Sequence, residues 1–314
     1  MSQYIVRRLM FLPPMLLAGS ILIFVLLRIV PGDPAAGLLG ADASPESVQA
    51  LREKLGLTES LPHQYFNWLG DVLTGHLGRS VVTNQPIGAQ ILKRLPVTLE
   101  ILVLSLLIGS SVGLVFGTAS ALFQNTPIDY FVRVFSVFSL SIPSFFALTL
   151  LILLPSLWWN YVPPLGYVSF FKEPLKNLQI FLPPTILLSF ESSATLMRFM
   201  RSTLLDVMRQ DYVRTARSKG LRERTVVTRH MLKNTMVPVI TIIGARVAGL
   251  MGGSVILEQV MSLSGLGQFT YQAVLARDFT IVQTMALYTG VLIAVCNLAV
   301  DVSYAYFDPR VRYR

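Results

Sequence analysis

Charged side chains are scarce in this sequence of 314 residues: they make up 14% of the chain, whereas hydrophobic residues make up 53%. An average soluble domain carries about 25% charged residues, so this composition is poorly suited to a surface in water. Apolar runs of about twenty residues recur along the chain, and each is long enough to cross a hydrocarbon core of roughly 30 Å. The composition therefore predicts an all-α, polytopic membrane protein.

Motifs of common catalytic centres are also missing. The sequence contains no G-x-x-x-x-G-K-[ST] loop for nucleotide phosphates, no H-E-x-x-H and no paired-cysteine spacing. The three histidines (His63, His76 and His230) are scattered, and a single cysteine, Cys296, excludes an internal disulfide. The glycine-rich run at 249–255 lies in an apolar window, where small residues let helices approach closely. We therefore expect no catalytic residue, no metal site and no cofactor held by this chain itself.

The formal net charge is +9. On a soluble protein, such a charge would suggest nucleic acid as a partner. In a membrane protein, basic residues mark the cytoplasmic loops instead. We therefore expect membrane lipid as a partner, and no nucleic acid.

Apolar windows predict six transmembrane helices, at about 9–30, 97–123, 131–157, 180–200, 236–258 and 282–306. The fourth window is weak because polar residues interrupt it, so hydropathy alone also allows five spans. With six spans and both termini in the cytoplasm, sixteen Lys or Arg residues lie in cytoplasmic segments and eight lie outside. Most of the outer ones belong to the long loop 31–96, and long loops contribute little to this rule. Six spans with both termini inside is the better topology.

The outer loop 31–96 is predicted to be folded. Ser44 is suited to an N-cap, Pro45 to the first helical position and Gly56 to the end of a short helix. A second amphipathic stretch follows, with large side chains at helical spacing: Tyr65, Trp68, Leu69 and Val72. Such a cap is compatible with two roles, an entrance or a structural lid on the helix ends.

Two ionisable residues fall inside predicted spans. Glu191 lies about eleven residues into the fourth span and Arg246 about ten residues into the fifth, from opposite sides. At 1.5 Å per residue both lie roughly 15 Å deep, and intramembrane charges usually face a cavity or a partner. We predict a Glu191–Arg246 pair lining a path through the membrane, with a buried structural pair as the alternative. Snorkelling or solvation explains three other charges near span ends: Arg28, Glu258 and Asp301.

A basic segment, 201–235, separates the fourth and fifth spans. Within it, DYVRTARSKG predicts a short helix that ends at Gly220 as a C′ glycine. One predicted face combines Tyr212, Thr215, Ala216 and Lys219. A second helical run follows, and Pro238 is predicted to open the fifth span. The segment is compatible with a connector on anionic headgroups, but its small residues favour docking on another protein.

The residues of this segment, DYVRTARSKGL followed by RHMLKNTMVPVIT, resemble the cytoplasmic coupling loop of bacterial ATP-binding-cassette importer permeases of the dipeptide, oligopeptide and nickel branch. RRLMFLPPMLLAGSILIFVLLRIVPGDPA is similar to the first span of that branch and the turn after it. Similar stretches follow in order: LGRSVVTNQPIGAQILKRLPVTLEI, ILEQVMSLSGLGQFTYQAVLARDFTIVQ and the C-terminal NLAVDVSYAYFDPRVRY. The resemblance covers nearly the whole chain.

This resemblance implies one subunit of an importer in a bacterial inner membrane. Its expected partners are a second, different permease chain, two ATP-binding subunits that carry ATP and Mg, and an extracytoplasmic solute-binding protein. The implied cargo is a peptide, with nickel, a metal chelate or another small solute as the alternative. A self-contained channel or secondary transporter is the rival class.

Carried over by position, the contacts with the ATP-binding subunit come from seven residues: Tyr212, Arg214, Thr215, Ala216, Lys219, Gly220 and Leu221. The wider family motif begins Glu-Ala-Ala, whereas this chain reads Arg214-Thr215-Ala216 and keeps the glycine. A role for the missing acid therefore has no support here.

Overall fold

The structure is a computed structural model that describes residues 2–29, 34–39, 43–54, 56–162, 164 and 166–307. Helices dominate these ranges, which confirms the all-α class. They are, in chain order, α1 (Ser2–Ile29), α2 (Pro34–Leu39), α3 (Pro45–Lys54), α4 (Leu61–Leu73), α5 (Ile87–Leu122), α6 (Pro127–Ser141), α7 (Ser144–Trp159), α8 (Pro174–Met208), α9 (Asp211–Ser218), α10 (Glu223–Thr225), a π-helical segment (Val226–Leu232), α11 (Lys233–Val260), α12 (Leu266–Leu275) and α13 (Phe279–Phe307).

Within the described ranges, five helical stretches are long and apolar enough to cross a membrane: α1, α5, α8, α10 through α11, and α13. The predicted third span, 131–157, differs from a continuous helix, because α6 and α7 meet at an angle of 91°. Ile142 and Pro143 separate them, both with extended backbone ψ values of 117° and 135°. Proline disfavours helical geometry in the residue before it and lacks an N–H group. The pair counts as a sixth span only when both halves are taken together.

The weak fourth window corresponds to α8, which lies inside the molecule. In its most apolar window 61% is buried, against 28% or less in the other four spans. Its buried hydroxyl groups are satisfied by its own backbone: for example, Thr185 Oγ1 donates to the carbonyl of Phe181 at 2.6 Å, and Ser193 Oγ to that of Ser189 at 2.7 Å. Polar side chains therefore lower the hydropathy of α8 without preventing its burial.

A glycine stripe on α5 brings α5 and α8 close together. A Cβ atom at Gly113 would lie 2.7 Å from Cβ of Leu196, and one at Gly117 would lie 2.8 Å from Cβ of Met200. Gly109 extends the stripe one turn further, against the serines of α8. This four-residue spacing of glycines is a known device for close helix contact in membranes.

The predicted packing role of the glycine-rich run 249–255 is correct only in part. A Cβ atom at Gly253 would lie 2.8 Å from Cδ1 of Leu188, but Gly249 and Gly252 have nothing within 4 Å of that position. Close approach needs a partner helix opposite the small residue. In this chain α8 lies opposite all three glycines of the α5 stripe, whereas Gly249 and Gly252 have no helix of the described residues opposite them.

The loop after α1 is folded in the part that the structure describes. The N–H of Ser47 donates to Ser44 Oγ at 3.3 Å, so Ser44 caps α3 as predicted. On α4, Tyr65 and Trp68 pack against Phe24 of α1, with ring centroids 5.4 Å and 6.2 Å apart. Arg28 does not simply extend to solvent, because its Nη2 donates to Gln64 Oε1 at 3.0 Å. The loop is thus attached to the first span.

Glu258 was interpreted as a solvated group at a span end, and this is wrong. Its side chain is fully buried and accepts hydrogen bonds from Thr98 Oγ1 at 2.7 Å and from the N–H of Gln268 at 2.8 Å. The chain turns back after α11, so the free N–H groups at the start of α12 surround the carboxylate. Asp301 lies outside the residues whose side chains are described.

Candidate functional site

The short helix α9 has one buried side and one exposed side. It follows α8 after a two-residue turn, and Val213 (0% exposed) and Ala216 (5%) face inward. These two side chains belong to an apolar cluster with Leu204 of α8, Met231 of the π-helical segment and Val239 of α11. We call this group, together with its other members Ala121, Leu196, Met200 and Val226, the coupling cluster. It joins α9 to both long helices that flank it.

A Schellman motif ends α9 at the predicted position. The N–H of Gly220 donates to the carbonyl of Arg217 at 2.9 Å, and the N–H of Leu221 donates to that of Ala216 at 3.4 Å. Gly220 has φ +73°, a left-handed conformation that glycine adopts without strain. A Cβ atom there would meet nothing within 4 Å in this chain. Within the chain, glycine is needed here for its backbone conformation.

Two side-chain contacts hold α9 against the next helical run. Arg217 Nη2 lies 2.6 Å from Glu223 Oε1 and its Nε lies 3.2 Å from Oε2, so the pair bridges the Gly220 turn at two points. This hydrogen-bonded carboxylate raises the pKa of Arg217. At the start of α9, Asn234 Nδ2 donates to Tyr212 Oη at 3.2 Å. These contacts therefore hold the turn at Gly220 in a defined conformation.

The seven residues predicted to contact an ATP-binding subunit do not lie on one side. Ala216 faces the coupling cluster, contrary to the predicted face that it shared with Tyr212, Thr215 and Lys219, because it lies three residues after the buried Val213. The other six are exposed: Tyr212, Arg214, Thr215, Lys219, Gly220 and Leu221. We call these six the docking face. Their role in docking stays a prediction.

The fifth long helix begins earlier than predicted. The helical run is continuous from Glu223 to Val260, with a π-helical segment at Val226–Leu232, so Pro238 lies inside it rather than at its start. π-Helical hydrogen bonds join residues i and i+5; such segments are rare and frequently lie at functional sites. Between α9 and this helical run lies only the turn of residues 219–222.

The predicted Glu191–Arg246 pair is present, with Arg246 Nη1 3.6 Å from Glu191 Oε1. Glu191 is the middle residue of the 35-residue α8. Its side chain is 62% exposed and that of Arg246 is 29% exposed, so the alternative of a buried structural pair does not describe this geometry. The pair connects α8 with α11, the two helices that the coupling cluster also joins. That it lines a translocation path stays a prediction.

A second arginine–carboxylate pair on α8 was not predicted. Asp129, at the start of α6, is fully buried and binds Arg201 Nε at 2.7 Å and Nη2 at 2.8 Å. Ser120 Oγ at 2.6 Å and the N–H of Asn125 at 3.0 Å complete its shell. The only local signal was an acidic residue in the first turn after Pro127, which is typical of any helix start.

Two family models match this chain. The binding-protein-dependent transport system inner membrane component matches residues 113–313, and the N-terminal membrane component of the same systems matches residues 1–102. The chain belongs to this family. It is therefore a multi-pass permease component of the inner membrane, from a family of transport subunits rather than of catalytic ones.

Curated relatives of this permease match over its full length. A putative peptide transport system permease protein of Brucella abortus (strain 2308) is 39% identical over 313 residues, 100% of both chains. The oligopeptide transport system permease protein AppB of Bacillus subtilis (strain 168) is 35% identical over 316 residues, again 100% of both. The dipeptide transport system permease protein DppB of Alkalihalophilus pseudofirmus is 31% identical over 339 residues, 100% of both.

Among solved structures, the permease resembles a chain of the MetNI methionine ABC transporter in inward-facing conformations. The TM-score is 0.55 at 17% identity, and the match covers 71% of this permease and 98% of that chain. At this identity the likeness shows a shared fold and carries no statement about cargo.

Proposed function

We propose that this permease forms half of the translocation path of an ATP-driven importer for peptides, which an extracytoplasmic binding protein delivers. Relatives named as peptide, oligopeptide and dipeptide permeases support the cargo class. ATP and Mg are bound by two partner subunits, since this sequence has no phosphate-binding loop. A second, different permease chain supplies the other half of the path, and both termini lie in the cytoplasm.

The observation that carries this proposal is the two-sided structure of α9. Its docking face is open to a partner, while Val213 and Ala216 are buried in the coupling cluster. A force applied to α9 therefore reaches α8 and α11 through packed side chains. These are the helices that hold Glu191 and Arg246, so closure of the ATP-binding subunits changes the separation of the two charges.

Transport then follows from a shift between two states. ATP-bound partner subunits favour the conformation in which the translocation path opens outward, and hydrolysis restores the inward-facing conformation. The permease contributes no covalent step. The basic segment 201–235, on the cytoplasmic side, also suits anionic lipid headgroups.

Cross-linking tests the docking face directly. Replacing the single cysteine (Cys296→Ala) provides a cysteine-free background, in which Lys219→Cys carries a thiol-linked photo-cross-linker in the assembled complex. We expect a covalent product with an ATP-binding subunit, identified by mass spectrometry. Thr83→Cys, an exposed position between α4 and α5, is the control and should give no such product. A Lys219→Cys complex that transports normally but forms no product contradicts the docking role.

A matched pair of glycine variants tests the energetic link. Gly220→Asp should abolish peptide uptake and substrate-stimulated ATP hydrolysis while the complex stays in the membrane. Gly56→Asp is the control, since Gly56 also has positive φ (+66°) and open space around it but lies in the loop after α1. Normal stimulated hydrolysis in the Gly220→Asp complex would exclude the proposed coupling.

Uptake experiments in proteoliposomes test the cargo. The permease is assembled with the subunits encoded beside it, and ATP-dependent uptake of a labelled dipeptide is compared with that of chelated nickel. We expect uptake of the dipeptide. Uptake of nickel alone would replace the peptide assignment with the metal-chelate alternative.

A further inference from the structure

A cavity lies inside the elbow between α6 and α7, against the middle of α8. Its volume is about 450 Å³, within the range of roughly 300–1,000 Å³ that is common for small-molecule sites. Most of its lining is aliphatic or aromatic, and includes Phe138, Leu150, Leu151, Leu154, Trp158 and Phe190. Such a lining suits an apolar group of the size of one or two side chains.

Few polar side chains line this cavity, and one of them, Glu191, carries a charge. Glu191 lines it, and its only ion-pair contact within the described residues is the one at 3.6 Å with Arg246. An ionised carboxylate has about four lone-pair sites, so most of them are left for another donor. Ser139 also lines the cavity; it is 4% exposed and its Oγ has no hydrogen-bond partner among the described residues.

The elbow presents the ends of two helices to the cavity. Phe138, Ser139 and Ile142 belong to the end of α6 or follow it directly, and all three line the cavity. The last carbonyl groups of a helix lack intrahelical partners and carry partial negative charge. The first N–H groups of α7, where Ser144 and Ala147 also line the cavity, carry the opposite partial charge. Glu191 is the one charged side chain among the lining residues, so a protonated amine attached to an apolar group fits both the walls and the carboxylate.

We propose that this cavity binds the apolar side chain of the first residue of the transported peptide, while the carboxylate of Glu191 accepts hydrogen bonds from the peptide's N-terminal ammonium group. This inference rests on the proposed function and assigns a subsite to the same path. The ammonium group replaces Arg246 as the partner of Glu191, and the released guanidinium is available for the C-terminal carboxylate of the peptide. A zwitterionic peptide thus exchanges one weak protein ion pair for two contacts of its own, and no charge is left uncompensated.

Photolabelling tests the location. Leu-Gly with a diazirine in the leucine side chain is irradiated with the assembled complex without its binding protein, so that only the permease selects. We expect adducts on Phe138, Leu151 or Phe190, located by peptide mass spectrometry. Adducts confined to other parts of the chain overturn the assignment.

Competition against this label tests the chemistry. Unlabelled Leu-Gly should compete about tenfold better than Gly-Gly, because a buried leucine side chain is worth at least that factor. It should also compete about tenfold better than N-acetyl-Leu-Gly, which has no ammonium group. In Glu191→Gln the second difference should disappear and the first should remain. Equal competition by all three peptides in the unmodified complex overturns the proposal.

Filling the cavity provides an independent measurement. Ala147→Phe, a substitution in the lining, should lower ATP-driven uptake of Leu-Gly about tenfold relative to Gly-Gly. Val134→Phe is the control, since Val134 is 69% exposed on α6 and does not line the cavity; it should leave the ratio unchanged. An unchanged ratio in Ala147→Phe contradicts the side-chain subsite.

Two other results are distinguishable. A diazirine phospholipid that labels the same residues, with no competition from peptides, would show that the cavity holds an acyl chain, and it would overturn the inference. If the complex transports peptides but shows no side-chain selectivity, only this inference fails. If it transports no peptide at all, the proposed function fails with it.

Discussion

Two arginine–carboxylate pairs connect α8 with its neighbours, and their geometries differ. Near the α9 end of the helix, Arg201 binds Asp129 through two hydrogen bonds of 2.7 Å and 2.8 Å, and the carboxylate is fully buried. At the midpoint, Glu191 and Arg246 share one contact of 3.6 Å, and the carboxylate is 62% exposed. The same two chemical groups therefore form a buried, doubly hydrogen-bonded pair in one place and a more exposed pair with one long contact in the other. We call the Asp129–Arg201 pair the closed joint and the Glu191–Arg246 pair the open joint.

The difference arises from the surroundings. Asp129 receives two further donors, from Ser120 and Asn125, so the buried charge is fully satisfied. Around Glu191 the elbow of α6 and α7 leaves a cavity, and Arg246 is its one ion-pair partner among the described residues. Close to α9, α8 is therefore held by a fully hydrogen-bonded ion pair, whereas at its midpoint it borders the cavity of the elbow.

The largest effect is expected from Asp129→Ala. It leaves Arg201 without its partner in a largely buried site, and breaking such a pair costs about 3–5 kcal/mol. The thermal unfolding midpoint of the purified permease in nanodiscs should fall sharply, and less folded protein should reach the membrane. An unchanged midpoint would show that the closed joint is not structural.

A somewhat smaller effect is expected from Gly113→Ala, which tests the glycine stripe of α5 that packs against the same half of α8. The added Cβ would lie 2.7 Å from Leu196, and such overpacking costs about 1–3 kcal/mol. The measurement is again the unfolding midpoint. Gly252→Ala is the matched control because that position is open, so it should be neutral or slightly stabilising. Equal midpoints for the two variants would contradict the close packing of the glycine stripe against α8.

Lysine substitutions compare the two arginines directly. Lysine keeps the charge but not the planar fork that makes two parallel hydrogen bonds. Arg201→Lys should therefore lower stability by about 1 kcal/mol, the value of one hydrogen bond. Arg246→Lys, which replaces a single long contact, should change it by less than about 0.5 kcal/mol. A larger loss of stability in Arg246→Lys than in Arg201→Lys would contradict the difference between the two pairs.

A small effect on stability is also expected from Glu191→Gln. An exposed ion pair contributes about 0–1 kcal/mol, so the unfolding midpoint should change little. A loss as large as that of Asp129→Ala would make Glu191 a structural residue and would remove the distinction between the two joints.

Local rules made part of this structure predictable. A C′ glycine needs only its own backbone conformation, so the end of α9 at Gly220 follows from the sequence, as does the Ser44 cap. The Glu191–Arg246 contact followed from equal depth in two spans. Nothing local links Asp129 with Arg201, because the two are 72 positions apart. Asp129 resembles an ordinary charge at a helix start, and Arg201 comes directly after the predicted fourth window.

Other features depend on what lies opposite a residue. Hydropathy treats α6 and α7 as one run because it does not record direction, although Pro143 marks the break. The burial of Glu258 requires the return of the chain into α12, and the inward position of Ala216 requires the coupling cluster beneath it. In each case the residue alone is compatible with two environments, and tertiary packing selects one.

The π-helical segment Val226–Leu232 has a consequence for how the docking face is aimed. Each residue of an α-helix turns the chain by about 100°. A π-helical turn holds one residue more than an α-helical turn, so removing one residue from this segment would restore α-helical bonding and leave the orientation of the preceding part around the axis of α11 nearly unchanged. The same deletion in the α-helical part of α11 would turn the docking face by about 100° without altering any of its side chains. The segment is thus the place where the length of this helical run can change while the docking face keeps its direction.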